Sequence, residues 1–248
     1  MELVMGKRPR SRAWVGLCMI ASLYGCGKNG GNAAAPDVAV STGNAETVAE
    51  VEAIAGRPAQ VAALWETAQP KAGKAWTDHA FHVVRTYGAS LMAGSRDVTQ
   101  FCPSYHSLDD DQKASFWVYF VSAITKFESA FNPLSRMREP GMGTDPVTHQ
   151  HVYSEGLLQL SYQDSLNYSF CNEFDWKKDR HLSPGDPRKT ILDPFKNLSC
   201  GIQILNRLVQ RHQLVAFGSG NYWSTLMPNG YGKVRSIKAL THQIAFCR

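Results

Sequence analysis

The stretch SFWVYFVSAITKFESAFNP, residues 115–133, decides how this chain is read. Between Ser115 and Phe127 only Lys126 is charged; Glu128 follows at once, and Pro133 closes the segment. Upstream, Ser107 is a good N-cap, and Asp109, Asp110 and Asp111 fall in a first turn where the helix dipole favours acids. Residues 114–125 carry no charge and are mostly apolar all round, the mark of a helix buried within protein. They are too few for the ~20 residues of a membrane span.

Glu128 therefore stands where local forces oppose its ionisation. Negative potential at a helix C-terminus disfavours a carboxylate by roughly 0.3–1 kcal/mol. Packing against Phe127, Phe131 and Trp117 would also push its pKa up. A carboxylic acid kept neutral near physiological pH is what general-acid catalysis requires. Position alone also fits a solvent-facing glutamate that ends a helix, so other residues must decide.

Residues 77–92 predict a helix capped by Thr77 or Asp78, with Phe81, Val84, Tyr87 and Leu91 on one stripe. Residues 132–155 read as a long polar loop. Helix resumes over residues 161–170, where Ser161 and Asp164 have capping-box spacing. After a charged loop at 175–190, residues 192–213 give the clearest amphipathic pattern, with Leu198, Ile202, Leu205 and Leu208 or Val209 on one face. Asp193 and Pro194, or Asn197, mark its start. Alternating strand patterns are nearly absent, so the class is all-α, or α with a minor strand pair.

The 248 residues suit one or two domains, and 44% hydrophobic and 10% aromatic content can supply a core. The net charge of +5 misleads, because Lys7, Arg8, Arg10 and Arg12 belong to a basic leader. From Cys26 onward there are 22 basic and 20 acidic residues, a net +2 that argues against nucleic acid as a partner. The leader is followed by AWVGLCMIASLYG, an apolar run of signal-peptide length. The letters LYGC resemble a bacterial lipobox, which would make Cys26 the lipidated first residue of the mature chain. The alternative is ordinary secretion with cleavage nearby. The expected organisation is a lipoprotein signal peptide at 1–25 and a flexible Gly-, Ala- and Asn-rich tether at 26–45. An N-terminal helical extension at 46–96 follows, its first helix at 46–66 carrying Val48, Val51, Ile54 and Ala55 on one face. Residues 97–248 are then the functional domain.

Setting aside Cys18 in the leader and Cys26, four cysteines remain, an even number suited to two disulfides in an exported chain. Three pairings are possible. The preferred one joins Cys171 to Cys200 and Cys102 to Cys247, since the second bond would tie the chain's end to the start of the Glu128 helix. A zinc site is the rival, but no CxxC or CxH pair is present.

Four segments carry a resemblance. In order, ESAFNP, SEGLLQLS, DPFKNLSCGIQIL and GNYWSTL resemble the soluble lytic transglycosylase family and its goose-type lysozyme relatives, over about residues 97–248. The resemblance implies a helical lysozyme-like domain of the α+β lysozyme superfamily. Its activity would be cleavage of the β-1,4 bond between N-acetylmuramic acid and N-acetylglucosamine in peptidoglycan. Glu128 matches the catalytic acid; Ser129, Gly156, Leu157, Leu158 and Gln159 match the part of the cleft that holds glycan; Tyr222 matches the aromatic hydroxyl of the third motif. That motif usually reads Ala-Tyr-Asn-Ala-Gly, whereas here it reads GSGNYWSTL.

In such enzymes one acid suffices: it protonates the leaving oxygen, then deprotonates the C6 hydroxyl, giving a 1,6-anhydro product. Hydrolysis would need a second carboxylate. Glu155 is the candidate, with Glu139 and Asp145 more remote; Glu155 also suits a purely structural partnership. A cell-wall-binding lipoprotein without turnover is the third reading. His79 and His82, and His149 and His151, invite a metal, but a helical pair on a surface suits plain solvation, the loop pair lacks an obvious third ligand, and no metal or cofactor is expected. The expected partners are glycan strands and, through Cys26, a membrane of the cell envelope, the outer in preference to the inner. The chain is expected to act as a periplasmic monomer.

Overall fold

A computed structural model describes residues 60–229 and 232–248. The expected signal peptide, the tether, the Cys26 anchor and most of the predicted helix at 46–66 lie outside the described residues. The architecture is mostly helical with one small sheet. In chain order the helices are α1 (Leu64–Ala68), α2 (Gly73–Tyr87), α3 (Ala89–Ala93) and α4 (Asp110–Glu128). Strands β1 (Arg136–Arg138) and β2 (Tyr153–Glu155) come next, followed by α5 (Asp164–Asn167), α6 (Trp176–Asp179), α7 (Pro194–His212) and α8 (Val234–Thr241).

Helix α4 is the centre. Asp109, not Ser107, caps it: its carboxylate accepts the Gln112 N–H at 2.8 Å, and Gln112 Oε1 accepts the Asp109 N–H at 3.1 Å. Ser107 instead closes the short 3₁₀ turn Tyr105–Ser107, its hydroxyl donating to the Ser104 carbonyl. Every residue from Ala114 to Thr125 is buried, as the charge-free run predicts. The Trp117 indole N–H donates to the Leu91 carbonyl at 2.7 Å and the Tyr105 hydroxyl at 2.8 Å, so its polar edge is satisfied inside the core.

Helices α1, α2, α3 and α8 pack around α4, and α7 packs against α2 and α3. The predicted single helix over 77–92 begins earlier, at Gly73, and breaks at Gly88. A Cβ at Gly88 would collide with the Val84 carbonyl, so the close turn between α2 and α3 requires glycine there. The face of α2 that enters the core is Trp76, Thr77, Ala80, Val83 and Val84, while Tyr87 of the predicted stripe is exposed. His79 pins α2 to α7, its Nε2 lying 2.8 Å from Ser199 Oγ and 3.0 Å from the Phe195 carbonyl. The boundary expected between residues 96 and 97 is not a seam. Trp65, Trp76, Val84 and Leu91 share one buried cluster with Trp117, Phe120 and Leu205, because α4 is too apolar to be covered from one side only.

Two further expectations change. Residues 132–155 are not an irregular loop but a hairpin, with Arg136 opposite Glu155, Met137 opposite Ser154 and Arg138 opposite Tyr153. Such short strands leave too few alternations to be visible in the letters. Of the helix expected over 161–170, only Asp164–Asn167 forms, followed by a 3₁₀ turn at Ser169–Cys171. Half the capping box survives: Asp164 accepts the Ser161 N–H at 2.8 Å, but the Ser161 hydroxyl bonds to Asp145 at 3.0 Å. Disulfides join Cys102 to Cys247 and Cys171 to Cys200.

Helix α7 opens with Asp193, whose carboxylate accepts the N–H groups of Phe195 and Lys196, ahead of Pro194 in the first turn. Asn197 therefore does not start the helix. Fully buried, it receives the Leu158 N–H at 2.8 Å and donates to the carbonyls of Glu155 (3.1 Å) and Ile191 (3.0 Å). Asn197→Ala leaves the Leu158 N–H and the Ile191 carbonyl without partners in a dry site, while the Glu155 carbonyl keeps the Leu160 N–H at 2.9 Å. At about 1–3 kcal/mol each, partly relieved by relaxation, the expected loss is about 3 kcal/mol. Thermal unfolding followed by circular dichroism should show a midpoint lower by about 10 °C; a change within about 1 °C would mean that something else holds this turn.

Candidate functional site

The site begins at the C-terminal end of α4. Beyond Glu128 the chain turns sharply through Ala130 (φ 50°) and Phe131 (φ 63°), both in the left-handed region that residues other than glycine rarely enter. The Phe131 carbonyl accepts Gln69 Nε2 at 3.1 Å, tying the turn to the segment after α1. Ser129 is buried, its hydroxyl donating back to the Thr125 carbonyl at 3.2 Å. It ends the helix and does not reach the cleft.

Glu128 lines a cleft of about 390 Å³. One wall is the hairpin, which presents Met137, Glu139, Met142 and Ser154; the other carries Asn221, Tyr222, Trp223 and Met227. Strand alternation decides which hairpin residues face Glu128. Met137 and Ser154 point into the cleft, whereas Arg136, Tyr153 and Glu155 line a separate cavity behind the sheet. Glu155 is therefore not the second acid of this cleft. It is buried in ion pairs with Lys189 and, at 3.5 Å, Arg136. Asp145 is also occupied, accepting from the Val147 and Thr148 N–H groups, the Ser161 hydroxyl and the Gln163 N–H. Glu139, just past β1, is the carboxylate that joins Glu128, and it accepts the Ser154 hydroxyl at 2.6 Å.

Burial holds the Glu128 carboxyl above its ordinary pKa. The Thr225 hydroxyl, donating to Glu128 Oε1 at 2.6 Å, works the other way, and the negative charge of Glu139 adds to the rise. One of the expected neighbours is not involved. Trp117 lies three turns up the helix in the aromatic core, about 16 Å along the axis.

The GLLQ segment is placed differently from the expectation. Gly156 (φ 82°) turns the chain out of β2, and a Cβ there would collide with the Asn197 amide. Leu157 and Leu158 are fully buried core residues. Their segment's backbone is already engaged: the Gly156 N–H reaches the Ser135 carbonyl, the Leu158 N–H reaches Asn197, and the Leu158 carbonyl accepts the Trp223 indole at 2.8 Å. Gly156, Leu157 and Leu158 thus build the wall from behind, and only Gln159 of this segment lines the cleft. Tyr222 does line it, its hydroxyl donating to Asp164 Oδ2 at 2.5 Å. Burial lifts Asp164 to about 6, against the opposing hydrogen bonds from Tyr222 and the Ser161 N–H.

The sequence pattern assigned no site role to Thr225 or Asn221, and to Asp164 only a place in a capping box. Asn221 is 7% exposed and lines the cleft, and its buried Oδ1 has no hydrogen-bond partner. Adjacency to Tyr222 in GNYW was the available signal. Among the described residues no group of three or more metal-ligating side chains converges.

No protein-family model matches the chain, and no curated protein matches it. Solved structures do. The chain is similar to Bd0314 DslA, a Bdellovibrio protein, in its wild-type form and in two variants, with 29% identity and a TM-score of 0.64 in each case. The match covers 77% of this chain and 100% of that one, which indicates a related fold. Each variant carries one glutamate-to-glutamine change, and the two altered positions are eleven residues apart.

Two substitutions should move the Glu128 titration in opposite directions. Thr225→Val removes a donor that favours the carboxylate, so the Glu128 pKa rises. Glu139→Gln removes a repelling charge, so it falls. Carboxyl ¹³C NMR of selectively labelled protein reads both, and shifts of the same sign would refute the arrangement.

Proposed function

We propose that this protein is an exported enzyme that cleaves peptidoglycan glycan on a lysozyme-like scaffold, with Glu128 as general acid and Glu139 as the second carboxylate of a hydrolysis. The observation that carries this reading is the presence of both carboxyl groups in one cleft, one held towards its neutral form by burial and one hydrogen-bonded by Ser154. The variant structures of DslA lend support, since their two altered glutamates have the same eleven-residue spacing as Glu128 and Glu139. The ESAFNP and GLLQL segments supply the substrate class, the bond between N-acetylmuramic acid and N-acetylglucosamine.

In this mechanism Glu128 gives its proton to the glycosidic oxygen as the bond to the anomeric carbon breaks. Glu139 then either draws a proton from water or bonds to the anomeric carbon, the choice depending on the separation of the two carboxyls. In either case water is added across the bond. Asn221, Gln159 and Tyr222 offer polar contacts for amides and hydroxyls, and Met137, Met142 and Met227 offer adaptable apolar surface for sugar faces. The second reading is lytic transglycosylation by Glu128 alone, favoured by the motif resemblance and giving a 1,6-anhydro product. The disulfides suit an oxidising envelope compartment. A lipid on Cys26 would hold the chain, as a monomer, on a membrane there.

Glu128→Gln should reduce clearing of purified cell walls by about 10²-fold or more. It should leave the fold intact. The folded state raises the Glu128 pKa, so ionisation costs stability as pH rises through that value. The neutral amide escapes this cost, and the variant's melting temperature at neutral pH should equal or exceed the wild type's. Clearing at wild-type rates would eliminate Glu128 as the acid. Mass analysis of released muropeptides separates the two readings: hydrolysis gives products heavier by one water than their anhydro counterparts.

A further inference from the structure

Behind the hairpin, on the side away from Glu128, lies a second cavity of about 110 Å³. Typical small-molecule pockets start at roughly 300 Å³, so this one suits a small group and not a sugar ring. Tyr153, Tyr162 and Trp176 form its aromatic walls, and Arg136, Arg180 and Lys189 bring positive charge.

The charges divide into those already matched and those that are not. Lys189 pairs with Glu155 while buried, and Asp145 is saturated by its four donors. Arg136 remains. Its guanidinium carbon lies 3.2 Å from the centre of the Tyr153 ring, so the group is held flat and fixed in orientation. Its Nε is buried without a hydrogen-bond partner, standing 3.5 Å from Glu155 Oε1, an ion-pair distance without a bond. Arg180, exposed at the rim, gives only its Nε to His181 at 3.2 Å. A buried donor left unmatched costs free energy, and a planar guanidinium is matched best by a planar oxyanion.

We propose that this cavity is a carboxylate-binding pocket, in which Arg136 and Arg180 take the acidic group of a short peptide. Gln150 at the rim is available to a neighbouring amide. If the proposed function holds, acidic peptides carried by the wall glycan supply this ligand; small free acids are the other source. Because Tyr153 and Glu155 flank Ser154 on β2, an occupant would brace the strand whose Ser154 holds Glu139.

The test is an amide-resonance NMR titration of the full chain with N-acetyl-glutamate, using its neutral diamide as control. Saturable shifts at Arg136, Tyr153 and Arg180 with the acid but not the diamide are expected. Arg180→Gln, at an exposed position that should not disturb folding, is expected to weaken binding about tenfold, the loss of one charge-assisted contact. No saturable shift, equal response to acid and diamide, or unchanged affinity in Arg180→Gln would overturn the proposal. Tighter binding of an acidic tripeptide than of N-acetyl-glutamate assigns the ligand to peptides, and equal binding assigns it to small acids; both retain the site. Wall clearing is measured separately, so absent binding with intact clearing refutes only this inference, and binding without clearing refutes only the enzymatic reading.

Discussion

A helix buried along twelve successive residues can neither slide nor rotate, and the rest of the molecule is arranged around that constraint. Interiors are packed about as densely as organic crystals, so displacing α4 would disturb Phe116, Trp117 and Phe120 together with every element that touches them. The end of α4 is therefore a fixed point. Two left-handed residues and the Gln69 bond to Phe131 then turn the chain away abruptly. Such backbone costs of order 1 kcal/mol per residue and persists only where its surroundings enforce it. Glu128 is thereby held at the cleft by the core itself.

The hairpin supplies the opposite wall, and its two-residue period separates two chemistries. Met137 and Ser154 face the cleft, with Glu139 just beyond β1, while Arg136, Tyr153 and Glu155 face the cavity behind it. A one-residue slip would exchange these sets. Register is held by the Gly156 turn, which Asn197 grips from α7, and by Asp145, which anchors the hairpin's far loop to Ser161 and Gln163. The buried Lys189–Glu155 pair fixes the same strand from behind.

The cleft also departs from what stability alone would select. Glu128 and Asp164 both have raised pKa values, so each contributes most to stability when protonated and loses that contribution as pH rises, Asp164 through about 6. Carboxyl groups buried at the expense of stability are characteristic of functional sites.

Much of this was legible in the letters. The charge-free run fixed α4 as a buried helix and Glu128 as its terminal acid; the apolar stripe gave α7; and Asp193 with Pro194 was one of the two starts it offered. Local forces decide such features, so local sequence reports them. Which carboxylate shares the cleft with Glu128 was not legible. Glu155 and Glu139 lie in one hairpin, and only the register of two three-residue strands, fixed by Asn197 forty-two residues away from Glu155, turns Glu155 away from the cleft. The GLLQ segment was likewise noticed for its residues, but whether its backbone faced ligand or core depended on partners in α7 and at Trp223. Composition and spacing determined the two long helices α4 and α7 and which acid is unusual. Tertiary contacts alone decided which side chains meet across the cleft, because a strand's facing direction is set by what it pairs with and not by what it contains.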